Sequence, residues 1–361
     1  MTCRATRERA GRRTAHAYDV GVAPTARDVA ALAGVSVKTV SRVVNGAPHT
    51  RPEVVQRVRA AMTELDWTPS ATARNLRTQR TGLIGIGVDE LRRPYLATLV
   101  EALVVEADRR GIPVAVEPTR GDDERTRALF AGRGTRFDGL VHIGAPPSCV
   151  RTDGALAHRP VVVVQGGREV GPVDHVQEDV DEAMALVVRH LAVMGRLRPV
   201  LLGCDRATRP GEDPSRPSAS LRAALAETGF DPDAVPVVPV EGVADRRAGA
   251  LAATRALDSH PALDVLVCVS DEVALGALAA LLGRGVDVPG QVAVVGYDDL
   301  DDGRFSTPSL TTVDPGPARL ARMALELLGD RLAGRAPGGP RAVTLPVDLV
   351  RRESTLGEAL P

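Results

Sequence analysis

The apolar positions of this 361-residue chain follow two different periods. Over residues 25–65 they recur at helical spacing, whereas from Leu83 onward short β-branched runs alternate with helical stretches. Thr25, with Asp28 three residues on, predicts a capped helix whose apolar face is Val29, Ala30, Leu32 and Ala33. Gly34 ends that helix, because glycine accepts the positive φ of a left-handed cap. Ser36 is suited to cap a second helix with Val40, Val43 and Val44 facing inward. That arrangement leaves Val37, Lys38, Thr39, Ser41 and Arg42 on the outer face and at the helix start. Thr50 and Glu53, with Pro52 in the first turn, predict a second capping box. Val54, Val58, Met62 and Leu65 follow and close a miniature three-helix core. Two short helices joined by a tight glycine turn predict a helix-turn-helix, whose second helix enters the major groove of DNA. A further helical segment, 71–77, is polar except for Ala73 and Leu76 and carries too little apolar surface to be stable alone.

The rest of the chain pairs strand-like runs with helical ones: 83–88 with 97–109, 112–117 with 123–131, then 138–143, and 160–165 with 180–194. The series continues with 199–204 and 218–228, 235–240 and 245–258, 264–269 and 272–284, and ends on 291–296. Such alternation predicts parallel βαβ architecture. Its length suits two doubly wound subdomains with a ligand cleft between them.

The formal net charge of −1 hides a segregation. Residues 1–80 carry 14 Lys and Arg against 6 Asp and Glu, a net +8, while the remainder carries 31 against 40, a net −9. A basic head on an acidic body fits phosphate binding by the head alone. Cys3, Cys149, Cys204 and Cys268 are scattered, so neither a zinc site nor a disulfide framework follows, and a reducing cytoplasm is the expected compartment. No run reaches membrane-spanning length, and residues 1–23 lack the apolar stretch of a signal peptide. Those residues read as a disordered basic extension. Enzyme motifs find no support. Gly85-Ile86-Gly87 lacks the third glycine of a dinucleotide fingerprint, and Asp89 stands where a helix should begin. The chain has no GxxxxGK[ST], GxSxG or HExxH. Leu300 breaks any calcium-loop pattern in 298–303, and His142, His190 and His260 read as structural. No catalytic residue, metal or cofactor is expected.

The run DVA..AGVS..TVSRVVN, a capped helix, and then P.....A..L..Q resemble the lactose-repressor family of bacterial transcription regulators. The likeness continues through Thr81-Gly82-Leu83-Ile84-Gly85, through 288–299 (VPGQVAVVGYDD) and through 308–313 (PSLTTV), and it spans residues 25–353. It implies an all-α helix-turn-helix head (24–69), a hinge helix and linker (70–82), and a periplasmic-binding-protein-like α/β core (83–353) for effector binding and dimerisation. Within the core it implies one subdomain of 83–178 with 312–343 and another of 179–311 with 344–353, leaving 354–361 as a tail.

The resemblance also implies roles. Val37 and Lys38, directly after the Ser36 cap, would face base edges, with Arg42 one turn on. Thr25, Thr39, Ser41, Asn45 and His49 would bond phosphates. Leu76 would wedge into the minor groove from the hinge helix, with Ala73 permitting close approach. Effector contacts would come from Tyr95, Leu96, Gln165, Arg216, Ser270, Asp271 and Asp298. The sequence departs from the family pattern at several of these places. Gln165 stands where Asp is frequent, Val180 where Asn is common, Pro217 where an arginine clamps the ligand, and Ser270 where Asn is common.

The implied whole is a cytoplasmic repressor that binds a near-palindromic operator on double-stranded DNA as a homodimer. It would be controlled by a small molecule, a sugar or sugar derivative. The family's tetramerising leucine heptads are absent after Arg352, so dimer is favoured. Two alternatives stay open: a stand-alone sugar-binding protein with a vestigial head, and a DNA binder without an effector.

Overall fold

The computed structural model describes residues 24–44, 46–48, 50–68, 80–132, 137–147, 159–167, 170–203, 216–228, 235–336 and 338–357. The chain divides into two compact units, Met1–Gln79 and Arg80–Pro361.

In the first unit, α1 (Ala26–Ala33), α2 (Val37–Val44) and α3 (Pro52–Glu64) form a small bundle. The Thr25 hydroxyl accepts from the Arg27 amide at 3.3 Å, and the Asp28 carboxylate accepts from the Thr25 amide at 2.8 Å, completing the expected box. Gly34 takes the left-handed cap at φ 62°, and the Ser36 hydroxyl accepts from the Thr39 amide at 3.2 Å. Val29, Ala30, Ala33, Val40, Val58 and Ala61 make the buried centre, with Val43, Val44, Val54, Met62, Leu65 and Trp67 packed around it.

Two expectations fail here. Leu32 is 46% exposed and lies off the buried face of α1. The Thr50–Glu53 box does not form. Pro52 occupies the first helical position, which makes Arg51 the cap and puts Glu53 one residue short of the box spacing. The Thr50 hydroxyl donates instead to the Ala47 carbonyl at 3.2 Å.

The second unit contains two six-stranded sheets among the described residues. The first holds β1 (Ile84–Val88), β2 (Val114–Pro118), β3 (Gly139–Ile143), β4 (Val161–Val164), β5 (Asp174–Glu178) and, from late in the chain, β11 (Ala342–Leu345). Its order is β11-β5-β4-β3-β1-β2, parallel throughout. Helices α4 (Pro94–Arg109), α5 (Asp123–Ala131) and α11 (Pro317–Leu332) belong with it. The second sheet holds β6 (Pro199–Gly203), β7 (Val237–Pro239), β8 (Val265–Cys268), β9 (Ala293–Tyr297), β10 (Thr311–Asp314) and β12 (Asp348–Val350). Its order is β12-β10-β9-β8-β6-β7, parallel except for β12 against β10. Around it lie α6 (Val180–Val193), α7 (Arg216–Glu227), α8 (Arg246–Ser259), α9 (Asp271–Gly283), α10 (Asp301–Arg304) and α12 (Glu353–Leu356). Apolar clusters of strand and helix side chains form the buried core of each subdomain, as parallel sheets require.

The chain passes between subdomains at 178–180, 314–317 and 345–348, which corrects the expected boundaries. Thr311–Asp314 is an interior strand of the second sheet, so the return crossing comes after Asp314 and not at 312. Thr344 and Leu345 pair with Gln177 and Glu178 and so stay with the first sheet. The supposed tail begins with α12, whose Ser354 and Thr355 are fully buried. Ser354 Oγ accepts from the Thr311 amide at 2.8 Å and donates to the Val294 carbonyl at 2.6 Å. Thr355 Oγ1 lies 2.8 Å from His190 Nε2 and 2.7 Å from Thr311 Oγ1. These buried hydroxyls satisfy one another, so this packing leaves no trace in a hydrophobicity pattern.

Candidate DNA-binding face and effector cavity

The capped start of α2 presents Val37, Lys38, Ser41 and Arg42 outward, while Val40 beneath them is buried. Thr39 is half-buried, and its hydroxyl meets Ser36 Oγ at 2.9 Å. Ser36 and Thr25 hold helix ends through their side chains. Helix spacing therefore puts an apolar contact (Val37), an ammonium (Lys38), a hydroxyl (Ser41) and a guanidinium (Arg42) on one exposed strip. Such a strip can reach base edges and phosphates. Asn45, His49, Ala73 and Leu76, and the whole expected hinge helix, lie outside the described residues.

In the core a cavity of about 280 Å³ opens where the carboxyl ends of the two sheets face each other. Its polar lining follows from strand ends. Asp89 comes just after β1, Gln165 just after β4, Glu178 ends β5 and Asp298 comes just after β9. Arg93, at the cap of α4, also lines it, as do Tyr95 and Leu96 from the first turn of that helix. Met184, Val180, Leu201, Val267 and Val269 supply apolar wall. Gln165 Nε2 donates to Tyr95 Oη at 2.8 Å and to Glu178 Oε2 at 2.9 Å. Gln165 and Asp298 both hold positive φ, 58° and 123°, conformations that non-glycine residues adopt at a cost and that collect at ligand sites.

The electrostatics are lopsided. Burial pushes the Asp298 carboxyl well above its ordinary range, and Asp271, Glu178 and Glu272 push it further, with Arg93 opposing. Burial, then Glu178 and Asp298, likewise raise the Tyr95 phenol well above its ordinary value.

Tyr95, Leu96, Gln165 and Asp298 thus meet in one cavity. Ser270 and Asp271 do not line it, which corrects that expectation. The Ser270 hydroxyl caps α9, accepting from the Val273 amide at 3.3 Å. Asp271 is wholly buried and takes the Thr312 hydroxyl at 2.6 Å and the Leu300 amide at 2.8 Å. Burial raises its carboxyl to about 6 despite those two bonds. Through the Leu300 amide, Asp271 holds the end of the turn that carries Asp298. Arg216 begins α7 but its side chain lies outside the description, and its neighbour Pro217 lines the cavity.

The profile of bacterial regulatory proteins of the lacI family matches residues 25–70, and that of a periplasmic binding protein-like domain matches residues 188–355. A structure from Sanguibacter keddieii DSM 10542, assigned to the LacI family as a transcriptional regulator, is 40% identical. It covers 76% of this chain and 99% of its own, with a TM-score of 0.66. The chain belongs to the lactose-repressor family. It is a DNA-binding transcription regulator with a core for a small-molecule effector.

Other members of the family align along most of their length. The transcriptional repressor PurR of Haemophilus influenzae (strain PittEE) is 27% identical over 322 residues, 87% of this chain and 93% of that one. The structure of the Lac repressor dimer bound to operator and the anti-inducer ONPF is 26% identical with a TM-score of 0.80, covering 92% of this chain and 99% of that one.

Sequence reasoning overlooked Asp89, Arg93 and Glu178. Asp89 was legible in principle, because a polar residue directly after a recognised parallel strand stands at a ligand-binding edge. Glu178 was hidden because β5, reading Asp-His-Val-Gln-Glu, does not look like a strand. Its Asp174 is buried and held by Arg331 at 2.6 Å and Arg341 at 2.8 Å, a compensation that only the fold supplies.

Proposed function

We propose that the protein is a cytoplasmic transcription repressor. In this reading it binds a near-palindromic operator as a homodimer and is controlled by a sugar-like molecule in the core cavity. The observation that carries it is the exposed Val37-Lys38-Ser41-Arg42 strip on a capped second helix, set in a head of net charge +8. Two such heads related by a dimer axis match the two halves of a palindrome. The Lac repressor relative, a dimer on operator DNA with a small anti-inducer, supports the same arrangement. Within this reading Lys38 and Arg42 carry base contacts, Thr25, Thr39 and Ser41 phosphate contacts, and Tyr95, Leu96, Gln165 and Asp298 effector contacts. The protein performs no catalysis: its task is to couple two binding equilibria, and coupling of that kind is reciprocal. No helix among the described residues is long and apolar enough to cross a membrane.

The test is selection of bound sites from random DNA, followed by a search for sugars that change the affinity. A consensus with two related half-sites is the expected result. Failure to bind any DNA at low salt would refute the reading and favour a stand-alone sugar-binding protein whose head is vestigial.

A further inference from the structure

We propose that Asp138 is a positioning residue: its carboxylate fixes where the chain from the first unit leaves the core, and so sets which spacing of operator half-sites the dimer accepts. This rests on the reading above, a dimer on a paired operator, and adds what measures the distance between its two heads.

The two compact units part between Gln79 and Arg80. Just beyond that seam one carboxylate gathers the chain. Asp138 Oδ1 accepts from the Thr81 amide at 2.6 Å and from the Thr81 hydroxyl at 2.9 Å, and Oδ2 accepts from the Gly82 amide at 2.8 Å. Gly82 turns the chain there with a left-handed φ of 68°. Bonds to an ionised carboxylate are roughly twice as strong as neutral ones, and three on one group fix direction as well as distance. Thr81 and Gly82 lie ahead of β1 and outside its register with β2 and β3, so these bonds hold the exit of the chain and not the sheet. The Arg80 guanidinium also donates to the Leu332 carbonyl at the end of α11, at 3.2 Å. That bond is made at the tip of a long side chain and leaves the Arg80 backbone play, whereas Asp138 grips backbone amides directly.

The carboxylate is itself rigidly mounted. Asp138 directly precedes β3, and its own amide donates to the Leu83 carbonyl at 2.9 Å. Both β1 and β3 are wholly buried, and each has a strand on either side. Phe137 on one flank is buried so close to Gly85 that a Cβ there would come within 2.7 Å of its ring. On the other flank a Cβ on Gly139 would come within 2.9 Å of Leu328 in α11.

In a dimer the symmetry axis sets the separation of the two exit points, and each head hangs from its own. A base pair added at the operator centre moves the half-sites apart by about 3.4 Å and turns them by about 35°. Freed from Asp138, Thr81 and Gly82 would add up to about 7 Å of tether to each head, at about 3.3–3.6 Å per residue. Such slack spans about two base pairs and rotates freely, so spacings that the native dimer rejects become accessible.

The experiment uses the full chain and palindromic operators built from the half-site that selection returns, with the centre shortened or lengthened by one, two and three base pairs. The native chain should prefer one spacing by roughly tenfold over those two base pairs away. Asp138→Ala should narrow that preference to roughly threefold or less and leave the base preferences within each half-site unchanged. Asp138→Asn keeps the oxygen facing Thr81 but not the one facing Gly82, and should fall between. Two glycines inserted between Gln79 and Arg80 of the native chain lengthen the same tether and should broaden the spacing profile as Asp138→Ala does. Circular dichroism checks folding; if the alanine variant does not fold, the asparagine variant and the insertion carry the comparison. Weaker binding at every spacing with the preference intact would make Asp138 a residue of core stability alone and overturn the inference. So would a native chain indifferent to spacing, an insertion without effect, or an altered half-site consensus in the folded variants. Each of these results leaves the regulator reading standing, whereas a native chain that selects no paired consensus refutes that reading and this inference with it.

Discussion

Lys38 and Arg42 are one helical turn apart on the exposed side of α2, and Val40 between them is buried against α1 and α3. Burial of the valine fixes how the helix is rolled, so the cations point outward because the core demands it. Replacing either Lys38 or Arg42 with Ala should cost about 1–3 kcal/mol of operator affinity and relax preference at particular base positions. Binding measured over a library of single-base operator variants reads this out; a uniform loss across the library would make them phosphate contacts instead. Residue chemistry was legible where it coincided with a helix period, as at Ser36, Val40 and Gly34. It was not legible at Ser270 and Asp271, because strand-end position alone does not say whether a polar side chain turns to the cavity or back to a helix cap.

Between α8 and α9 the helix backbones approach closely. A Cβ placed on Gly276 would overlap the carbonyl oxygen of Arg246, and one on Gly249 would overlap the backbone of Val273. Neither glycine has an unusual φ, so space and not conformation requires them. Gly276→Ala should destabilise the core by about 1–3 kcal/mol, the usual cost of overpacking, seen as a lower urea midpoint.

A second element-scale prediction concerns β5. Burial would raise the Asp174 carboxyl, but bonds from the Arg331 and Arg341 side chains and the Arg341 amide win and hold it below its ordinary range. A depressed carboxylate contributes stability that is present above its unfolded value, about 3.9, and is lost as pH falls through the lower folded value. Resistance to urea should therefore fall steadily as pH drops below about 4 in the native chain, and Asp174→Ala should flatten that part of the profile. The substitution removes one partner of a buried ion network and should cost about 3–5 kcal/mol near neutral pH. Strands such as β1, β4 and β9 announced themselves by unbroken apolar runs, while β5 stayed silent because its burial is compensated by charges 157 and 167 residues away.

On the scale of the whole chain, net charge is positive over the first 80 residues and negative over the rest. Log K for operator binding should fall linearly with log salt, with a slope near −0.9 per phosphate neutralised. Affinity that barely responds to salt would contradict a phosphate-bound head. The sequence by itself determined the helix-turn-helix, the alternation of strands and helices and the segregation of charge, because each is written in local spacing and composition. Only the tertiary structure decided where the chain crosses between subdomains, that residues 353–356 belong to the core, and which polar groups share one cavity. Asp89, Gln165, Glu178 and Asp298 are scattered over more than two hundred residues, and they meet because parallel strands deliver their carboxyl ends to a common edge. That delivery depends on strand order and register, which are set by long-range packing and leave no local signal.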